Sequence, residues 1–312
     1  MNLTLLNNEQ KKDISIEEIL ELINLNTEQE TDLDHGIEIL LGRKKSKNIS
    51  FKKIPNNSNI IPKSGIFDVL DISYSEMEIA QQLTIITHSR MSRIKKKEFL
   101  NKNWERSNKK IESPNIVGIF ERFNQLTNWI SEEILRYDRK RHRKLAIEKF
   151  VNIAEECWKI NNFNDCFNIV LCLTTSPSLR HLKKTWVRVS IDIKNKLEVL
   201  DNYFLQDGNY AQLRKMMENA KGSPCVPYFG YFTRELSYIS ESKYIENGCL
   251  LNCEKLRKTG EFIDLFHELV NKNVYPYKEN TKLNFLLNLK PLSEDELIEL
   301  SHKLGNYFFN LY

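Results

Sequence analysis

Polar side chains recur every four residues along one predicted helix in the last third of the chain. The stretch PCVPYFGYFTREL (224–236) leads into this helix. Thr233, Ser237 and Glu241 lie on one face of it, because residues four apart align along a helix. Two hydroxyls and a carboxylate in line can exchange hydrogen bonds with a polar partner. The sequence thus predicts a polar stripe beside an aromatic stretch.

Motifs for covalent catalysis do not occur in the sequence. It contains no G-x-x-x-x-G-K-[ST] or G-x-G-x-x-G loop to hold nucleotide phosphates, and no G-x-S-x-G or H-E-x-x-H. The six histidines are isolated, and Cys249 and Cys253 have no second Cys/His pair to complete a zinc site. We therefore predict no covalent chemistry, no cofactor and no metal, and we expect reduced thiols in an intracellular protein.

The composition is typical of a globular, mainly helical protein. Of the 312 residues, 41% are hydrophobic and 28% are charged, while Gly and Pro number only 10 and 8, so turns are few. The net charge of +4 is too small to favour nucleic acid as a partner. Because the N-terminus lacks a basic start followed by an apolar run, and no apolar stretch approaches about 18 residues, we expect a cytoplasmic protein.

The pattern along the chain predicts three segments. Apolar spacing suits one or two short helices over 12–42, and Lys, Asn and Ser dominate 42–65. Residues 1–60 are therefore interpreted as a short helical segment with a polar linker. From Ile66 to about Leu304 the chain is helical in pattern almost throughout. Residues 61–306 form one predicted domain, and 307–312 form a tail.

Within the domain, one helix has a clear predicted start. Ser113 can cap it and Pro114 occupies its first position, where a missing N–H costs nothing. The turn NNFND later separates two helices, and the second, CFNIVLCL, is apolar nearly all round and should be central. The basic run RYDRKRHRK (136–144) lies between helices, and both a solvated loop and contact with acidic lipid or a partner stay open.

The order of these segments resembles the catalytic domain of guanine-nucleotide exchange factors for Ras-family small GTPases, over about residues 66–304. The PCVPYFG stretch followed by a helix is the most specific block. The blocks, in family order, are FDVLDISYSEMEIAQQLT (67–84), Trp104, SPN (113–115) with FNQLTNW (123–129), NNFN (161–164), HLKKTW (181–186), NY (209–210), PCVPYFGYFTREL (224–236), NCEKLRKTGEF (252–262) and SEDELIELS (293–301).

The resemblance implies an all-α fold, a single large bowl-like helical domain from which a helical hairpin protrudes. In the family the proline-aromatic block leads into this hairpin, and its prolines fix an extended approach to the helix. Tyr228 and Phe229 would then lie on the floor that grips a mobile switch segment of the GTPase, since large aromatics in desolvated pockets are usual interface anchors. Plain core packing is the alternative for both residues.

The resemblance also assigns a role to the polar stripe. Glu241 matches the family's acidic hairpin residue, which reaches the phosphate- and magnesium-binding site of the GTPase. Its carboxylate would repel the phosphates and accept a hydrogen bond from the hydroxyl that otherwise holds Mg²⁺. Ser237 and Thr233 complete the stripe, although the family usually has a small or apolar residue where Ser237 stands. A solvated glutamate is the alternative.

Further matched positions would contact the switch from the bowl. They are Phe120, Asn124, Phe167, Thr174 and Tyr210. Two positions depart from the family pattern: Thr174 stands where many members have an asparagine that bonds the switch, and Glu121 replaces a residue that is basic in some members. Both departures would alter the choice of GTPase.

The implied function is guanine-nucleotide exchange. The protein would bind a Ras-family GTPase of Ras, Rap or Ral type, most tightly in its nucleotide-free form. It would open the switch regions with the hairpin and release GDP so that GTP can load. Peripheral recruitment to membranes would come through the lipidated GTPase. The alternative is a GTPase-binding module of the same fold that has lost exchange activity, and Thr174 and Glu121 are the features that favour it.

Overall fold

The structure is a computed structural model that describes residues 68–206, 208–241, 245–246 and 250–306. The helices expected over 12–42, the polar linker and the tail 307–312 lie outside the described residues. The two outer boundaries of the predicted domain, at 61 and 306, stay predictions.

The first described helix, α1 (Glu76–Met91), begins with a reciprocal cap. The Ser75 hydroxyl accepts a hydrogen bond from the Glu78 N–H at 3.2 Å, and the Glu78 carboxylate accepts one from the Ser75 N–H at 2.9 Å. Two of the free N–H groups at the helix start are thereby satisfied. A 3₁₀ segment (Lys96–Glu105) and a single-turn helix, α2 (Lys109–Glu112), follow.

Helix α3 (Pro114–Leu135) begins at the predicted proline but is capped differently from the prediction. The Ser113 hydroxyl does not cap the helix and instead donates to the Glu98 carbonyl at 2.8 Å. The cap is the buried Glu98 carboxylate, which accepts from both the N–H and the side-chain amide of Asn115 at 2.8 and 2.7 Å. A carboxylate is favourable there because the helix N-terminus carries partial positive charge.

Helices α4 (Lys140–Lys159) and α5 (Phe163–Thr175) are joined by the predicted asparagine turn. Asn161 adopts a left-handed φ of 60°, and the Asn162 side chain accepts from the Asp165 N–H at 3.0 Å to cap α5. As predicted, α5 is central. It packs against both α3 and α4, and most of its side chains are buried.

Shorter helices surround this centre. They are α6 (Pro177–Arg180), α7 (Lys183–Trp186), α8 (Ile191–Asn202) and α9 (Ala211–Asn219). Near the C-terminus, a second 3₁₀ segment (Thr281–Asn288) precedes α12 (Glu294–Asn306), which buries leucines against α3 and α6. No described helix has both the length and the apolar character that crossing a bilayer requires.

Two antiparallel helical arms form a hairpin. Helix α10 (Phe229–Glu241) is followed by a two-residue ladder, β1 (Ile245–Glu246) with β2 (Leu250–Leu251), and then by α11 (Cys253–Asn271). The rings of Phe232 and Phe266 lie 5.2 Å apart between the arms. Apart from this ladder and one isolated backbone bridge, the described residues are helices and connections, so the predicted all-α class is confirmed.

Candidate functional site

The proline-flanked stretch that precedes α10 is extended and pairs with the turn that starts α5. The Val226 N–H donates to the Asn161 carbonyl at 3.0 Å, and the Val226 carbonyl accepts from the Phe163 N–H at 3.0 Å. The prolines at 224 and 227 lack an N–H, so they cannot donate to a second neighbour, and their fixed φ keeps the segment extended. The N-terminus of α10 is therefore anchored to the N-terminus of α5.

An aromatic cluster joins the two anchored helices to α3. Tyr228 lies 4.2 Å from Phe167 on α5, ring centre to ring centre, and Phe229 lies 5.6 Å from Phe120 on α3. Phe204 closes one side, 4.8 Å from Phe167. Three helices far apart in sequence thus contribute neighbouring rings, in tilted arrangements that favour aromatic contact.

Burial separates the members of this cluster into two groups. Tyr228 and Phe229 are 5% and 1% exposed, so both lie in the core of the free protein. Burial is also the main reason why the pKa of the Tyr228 phenol is raised. Phe120 and Phe167 are half-buried and present part of their rings to solvent. The accessible part of the cluster is therefore formed by α3 and α5, with Tyr228 and Phe229 packed behind it.

Tyr210 completes the cluster in a constrained conformation. It is 5% exposed and has a left-handed φ of 55°, which is rare for a bulky residue. The Tyr228 ring lies 6.1 Å away, and the guanidinium of Arg234 stands 5.2 Å from the Tyr210 ring centre. Packing from α10 thus holds an unfavourable backbone conformation beside the candidate site.

The polar candidates on α3 and α5 are half-buried. The Asn124 side-chain oxygen is buried and has no hydrogen-bond partner among the described residues. Such an acceptor costs free energy in the free protein and can be satisfied by a donor from a bound partner. The Thr174 hydroxyl donates to the Val170 carbonyl at 3.0 Å within its own helix, and Glu121 is exposed.

The predicted polar stripe on α10 is only partly accessible. Thr233 is 5% exposed, and its hydroxyl lies 3.2 Å from the Gly230 carbonyl in its own helix. The Ser237 hydroxyl donates to the carboxylate of Glu105 at 3.1 Å, which ties α10 to the first 3₁₀ segment. Glu241 is exposed at the last position of the helix. Of the three, Glu241 is the one whose polar group is open to a partner.

Two asparagines position the site and were not identified from the sequence. The Asn164 side chain accepts from the Phe229 N–H at 3.2 Å and so fixes the start of α10. The Asn168 side chain accepts from the Thr127 hydroxyl at 2.7 Å and donates to the Phe123 carbonyl at 3.0 Å, which sets α5 against α3. The available signal was a pair of asparagines four apart in an otherwise apolar helix, where an amide needs partners.

A buried arginine on α3 and a buried aspartate on α5 lie near each other without a direct ion pair. Arg122 is 3% exposed, and its guanidinium nitrogens have no hydrogen-bond partner among the described residues. Burial lowers the pKa of Arg122 to about 10, although the nearby Asp165 carboxylate opposes this. Burial likewise raises the pKa of Asp165, against hydrogen bonds from Asn162 and Thr87. The described residues contain no group of three His, Cys, Asp or Glu side chains placed to hold a metal ion.

Comparison with known proteins gives consistent results. The model of the RasGEF domain matches residues 78–257. The rat Ras-specific guanine nucleotide-releasing factor 1 is 34% identical over 193 residues, which are 61% of this chain and 15% of the rat protein. The mouse Ras-specific guanine nucleotide-releasing factor 2 is 31% identical over 247 residues, 78% of this chain and 20% of the mouse protein. In Dictyostelium discoideum, Ras guanine nucleotide exchange factor M is 29% identical over 238 residues, 74% of this chain and 25% of that protein.

The chain spans a quarter or less of the length of these relatives. The matched range nevertheless contains all the candidate site residues, from Phe120 on α3 to Glu241 at the end of α10. It also covers more than half of the chain, and the all-helical architecture with its hairpin agrees with the resemblance inferred from sequence. The chain therefore belongs to the RasGEF domain family.

Proposed function

We propose that this chain accelerates guanine-nucleotide exchange on a Ras-family small GTPase. The observation that carries the proposal is one arrangement on three helices. Half-buried Phe120 and Phe167 lie beside the unpaired acceptor of Asn124, and α10 leads away from this cluster to the exposed Glu241. An apolar surface with one unsatisfied polar group fits a partner segment that supplies both a hydrophobic side chain and a donor.

An exchange factor must release the nucleotide from a very tight complex with the GTPase, and it does so without covalent chemistry. A GTPase that holds nucleotide at picomolar affinity has a binding free energy of about −16 kcal/mol, so spontaneous release is slow. An exchange factor of this kind binds the nucleotide-free GTPase better than the loaded one. Because coupling between two ligands is reciprocal, incoming nucleotide weakens the grip of the exchange factor by the same factor. The direction of exchange then follows the ratio of GTP to GDP.

In this proposal the hairpin disturbs the nucleotide site. The exposed carboxylate of Glu241 would approach the phosphate- and magnesium-binding groups of the GTPase, repel the phosphates and accept a hydrogen bond from the hydroxyl that holds Mg²⁺. Thr233 is buried and Ser237 is bonded to Glu105, so their role is to hold α10 in place. Glu241 thus supplies the destabilising charge, and the other two residues of the stripe are positioning residues.

The aromatic cluster would supply affinity. Phe120, Phe167 and Asn124 would contact the switch segment directly because they are half-buried and face outward in part. Tyr228, Phe229 and Tyr210, each at most 5% exposed, would support them from behind. Thr174 would make a rim contact on α5 and, with Glu121, would influence which GTPase is accepted.

The experiment is release of a fluorescent GDP analogue from a panel of Ras-, Rap- and Ral-type GTPases. We expect acceleration on one or two members. Glu241→Ala should slow release about tenfold or more, since a charge-assisted hydrogen bond contributes about 1.5–3 kcal/mol. It should weaken the nucleotide-free complex less than this. Glu254→Ala is the matched control, because it removes an exposed carboxylate from the other arm of the hairpin.

A second pair of variants separates binding from release. Phe167→Ala should weaken the nucleotide-free complex by about 2 kcal/mol, the usual loss at an aromatic anchor, with a proportionate loss of rate. Tyr277→Ala, a half-buried aromatic that stacks on Tyr275 outside the cluster, should leave both quantities unchanged. A Glu241→Ala variant that loses as much binding as rate, in the way expected of Phe167→Ala, would contradict this division of roles. If no GTPase in the panel releases the GDP analogue faster, although a complex with one of them is still detectable, the chain is a binding module without exchange activity.

A further inference from the structure

Two basic segments converge at one end of the domain, away from the aromatic cluster. Residues 136–144 contain six Lys and Arg against one Asp, and residues 180–191 contain four with no acid. Together they hold an excess of nine cations, whereas the whole chain has a net charge of only +4. The rest of the chain is therefore net acidic, and the positive charge is concentrated in these two segments.

A buried arginine holds the two segments together. Arg143, 2% exposed, donates to the carbonyls of Tyr137 and Asp138 at 2.5 and 2.9 Å in the loop before α4. Its Nε also donates to the hydroxyl of Thr185 on α7 at 3.3 Å. The guanidinium thus joins the α3–α4 loop to α7 and brings Lys140 near Lys184 and Arg188. Elsewhere in the first segment, Arg136 and Lys144 are ion-paired with Glu133 and Glu148.

The cations around this junction are close enough to affect one another. Lys183, Lys184 and Arg188 are exposed, and Lys140 is half-buried. Burial, together with the positive charges of Lys184, Arg188 and Arg143, lowers the pKa of Lys140. The Arg188 guanidinium donates to the Lys184 carbonyl at 2.7 Å, so cations of α7 and of the residues after it stand close together, and an anionic partner is attracted to them.

Apolar side chains stand among these cations. Val187 and Ile191 are 77% and 67% exposed, although the intervening Val189 is buried. Trp186 is half-buried and donates its indole N–H to the Leu179 carbonyl at 3.1 Å, so its ring is partly withdrawn from solvent. We call the surface formed by Lys183, Lys184, Val187, Arg188 and Ile191 the basic-apolar corner.

We propose that the basic-apolar corner binds the surface of an anionic lipid bilayer. Cations attract acidic headgroups, and large aliphatic side chains beside them can enter the boundary between headgroups and acyl chains. Single-stranded nucleic acid fits less well, because its binding relies on exposed aromatic side chains for base stacking. The combination of exposed Lys, Arg, Val and Ile in one short stretch favours lipid.

The position of the corner permits lipid and GTPase to bind together. Along α3, Phe120 and Arg136 are sixteen residues apart, which corresponds to about 24 Å of helix. Helix α5 runs alongside α3 in the same direction, as the contacts of Asn168 with Thr127 and of Ser176 with Ser131 show, and leads into α6 and α7. The basic-apolar corner is therefore near the opposite ends of the helices that carry Phe120 and Phe167.

The test is sedimentation of the full chain with phosphatidylcholine vesicles, with and without about 30% phosphatidylserine, at about 0.15 M salt. Lys183→Glu/Lys184→Glu changes two exposed lysines at the start of the four-residue helix α7. Its control, Lys109→Glu/Lys110→Glu, changes two exposed lysines at the start of the four-residue helix α2. Both variants have the same net charge and keep residues 1–67 unchanged, so any contribution of those residues cancels.

We expect binding that depends on phosphatidylserine. Each cation at an anionic surface contributes about fivefold to the partition coefficient, so the α7 variant should bind at least about 25-fold more weakly. The α2 variant should stay within about twofold of wild type. Val187→Ser/Ile191→Ser, which keeps every charge, should weaken binding several-fold. The α7 variant should retain wild-type exchange on a GTPase in solution, since its lysines lie outside the GTPase-binding cluster.

Several results would overturn the proposal. Equal losses in the α7 and α2 variants would mean that binding depends on net charge alone. If phosphatidylserine does not increase vesicle binding by the wild-type chain, or if that chain binds heparin or RNA but not the vesicles, the corner is not a lipid-binding surface. The vesicle, heparin and RNA measurements use no GTPase, so they are independent of the proposed exchange activity.

Discussion

Gly230→Ala, at the start of α10, should lower the free energy of unfolding, whereas the same substitution at an ordinary helical glycine should raise it. A Cβ built on Gly230 would lie within 3.0 Å of three atoms of the Tyr228 side chain, two ring carbons and the phenol oxygen. That ring cannot move away easily, because Tyr228 is 5% exposed and packs against Phe167 and Tyr210. Gly230→Ala should therefore overpack the cluster and displace the Tyr228 ring.

The size of the change in unfolding free energy follows from comparison with a glycine that has space for a Cβ. A Cβ on Gly260, in the facing helix α11, meets nothing within 4 Å. Gly260→Ala should raise the free energy of unfolding by up to about 1 kcal/mol, because Gly is a poorer helix former than Ala. Gly230→Ala makes the same gain, but the overpacking costs about 1–3 kcal/mol. The two variants should thus differ by about 1–3 kcal/mol.

Urea unfolding at 25 °C, followed by tryptophan fluorescence, measures this difference directly. The exchange assay supplies an independent readout, because a displaced Tyr228 no longer supports Phe167, and binding of the GTPase should weaken. Adding Tyr228→Ala to Gly230→Ala should remove the clash, so the two changes should be non-additive. If Gly230→Ala and Gly260→Ala stabilise the protein equally, the close approach of Gly230 to Tyr228 is refuted.

Three further predictions concern the buried polar groups that hold the helices. Burial raises the pKa of the Glu133 carboxyl from 4.5 to about 7, so the unfolded state loses its proton first as pH rises. The contribution of Glu133 to the unfolding free energy should fall by about 3 kcal/mol between those pH values, and Glu133→Gln, compared with the wild type by urea titrations at both pH values, should lack this contribution. Asn168→Ala leaves the Phe123 carbonyl without its side-chain donor and should cost about 1–3 kcal/mol of stability, with weaker GTPase binding; unchanged stability would contradict the role of Asn168 between α3 and α5. Glu98→Ala removes the cap at Asn115 and should lower the free energy of unfolding by about 2 kcal/mol, which thermal unfolding reports as a lower midpoint. Glu112→Ala, at an exposed residue nearby, should leave the midpoint unchanged.

The helices and their ends were largely predictable because they depend on residues near one another in sequence. The apolar period predicts α3 and α5, Pro114 begins α3, and the asparagine turn caps α5 as expected. The family was recognisable for a related reason, since its blocks are short and their order is read directly. The cap of α3 was not predictable, because the Glu98 carboxylate that replaces the Ser113 hydroxyl comes from a separate segment.

The sequence by itself determined an all-helical RasGEF domain and the residue types available to its site. Only the tertiary structure decided which of those residues are accessible. It buries Tyr228 and Thr233, leaves Phe167 half-buried and exposes Glu241. It also brings the two basic segments together. The physical reason is that burial depends on contacts between distant parts of the chain, such as the 4.2 Å separation of the Phe167 and Tyr228 rings, and local periodicity carries no information about them.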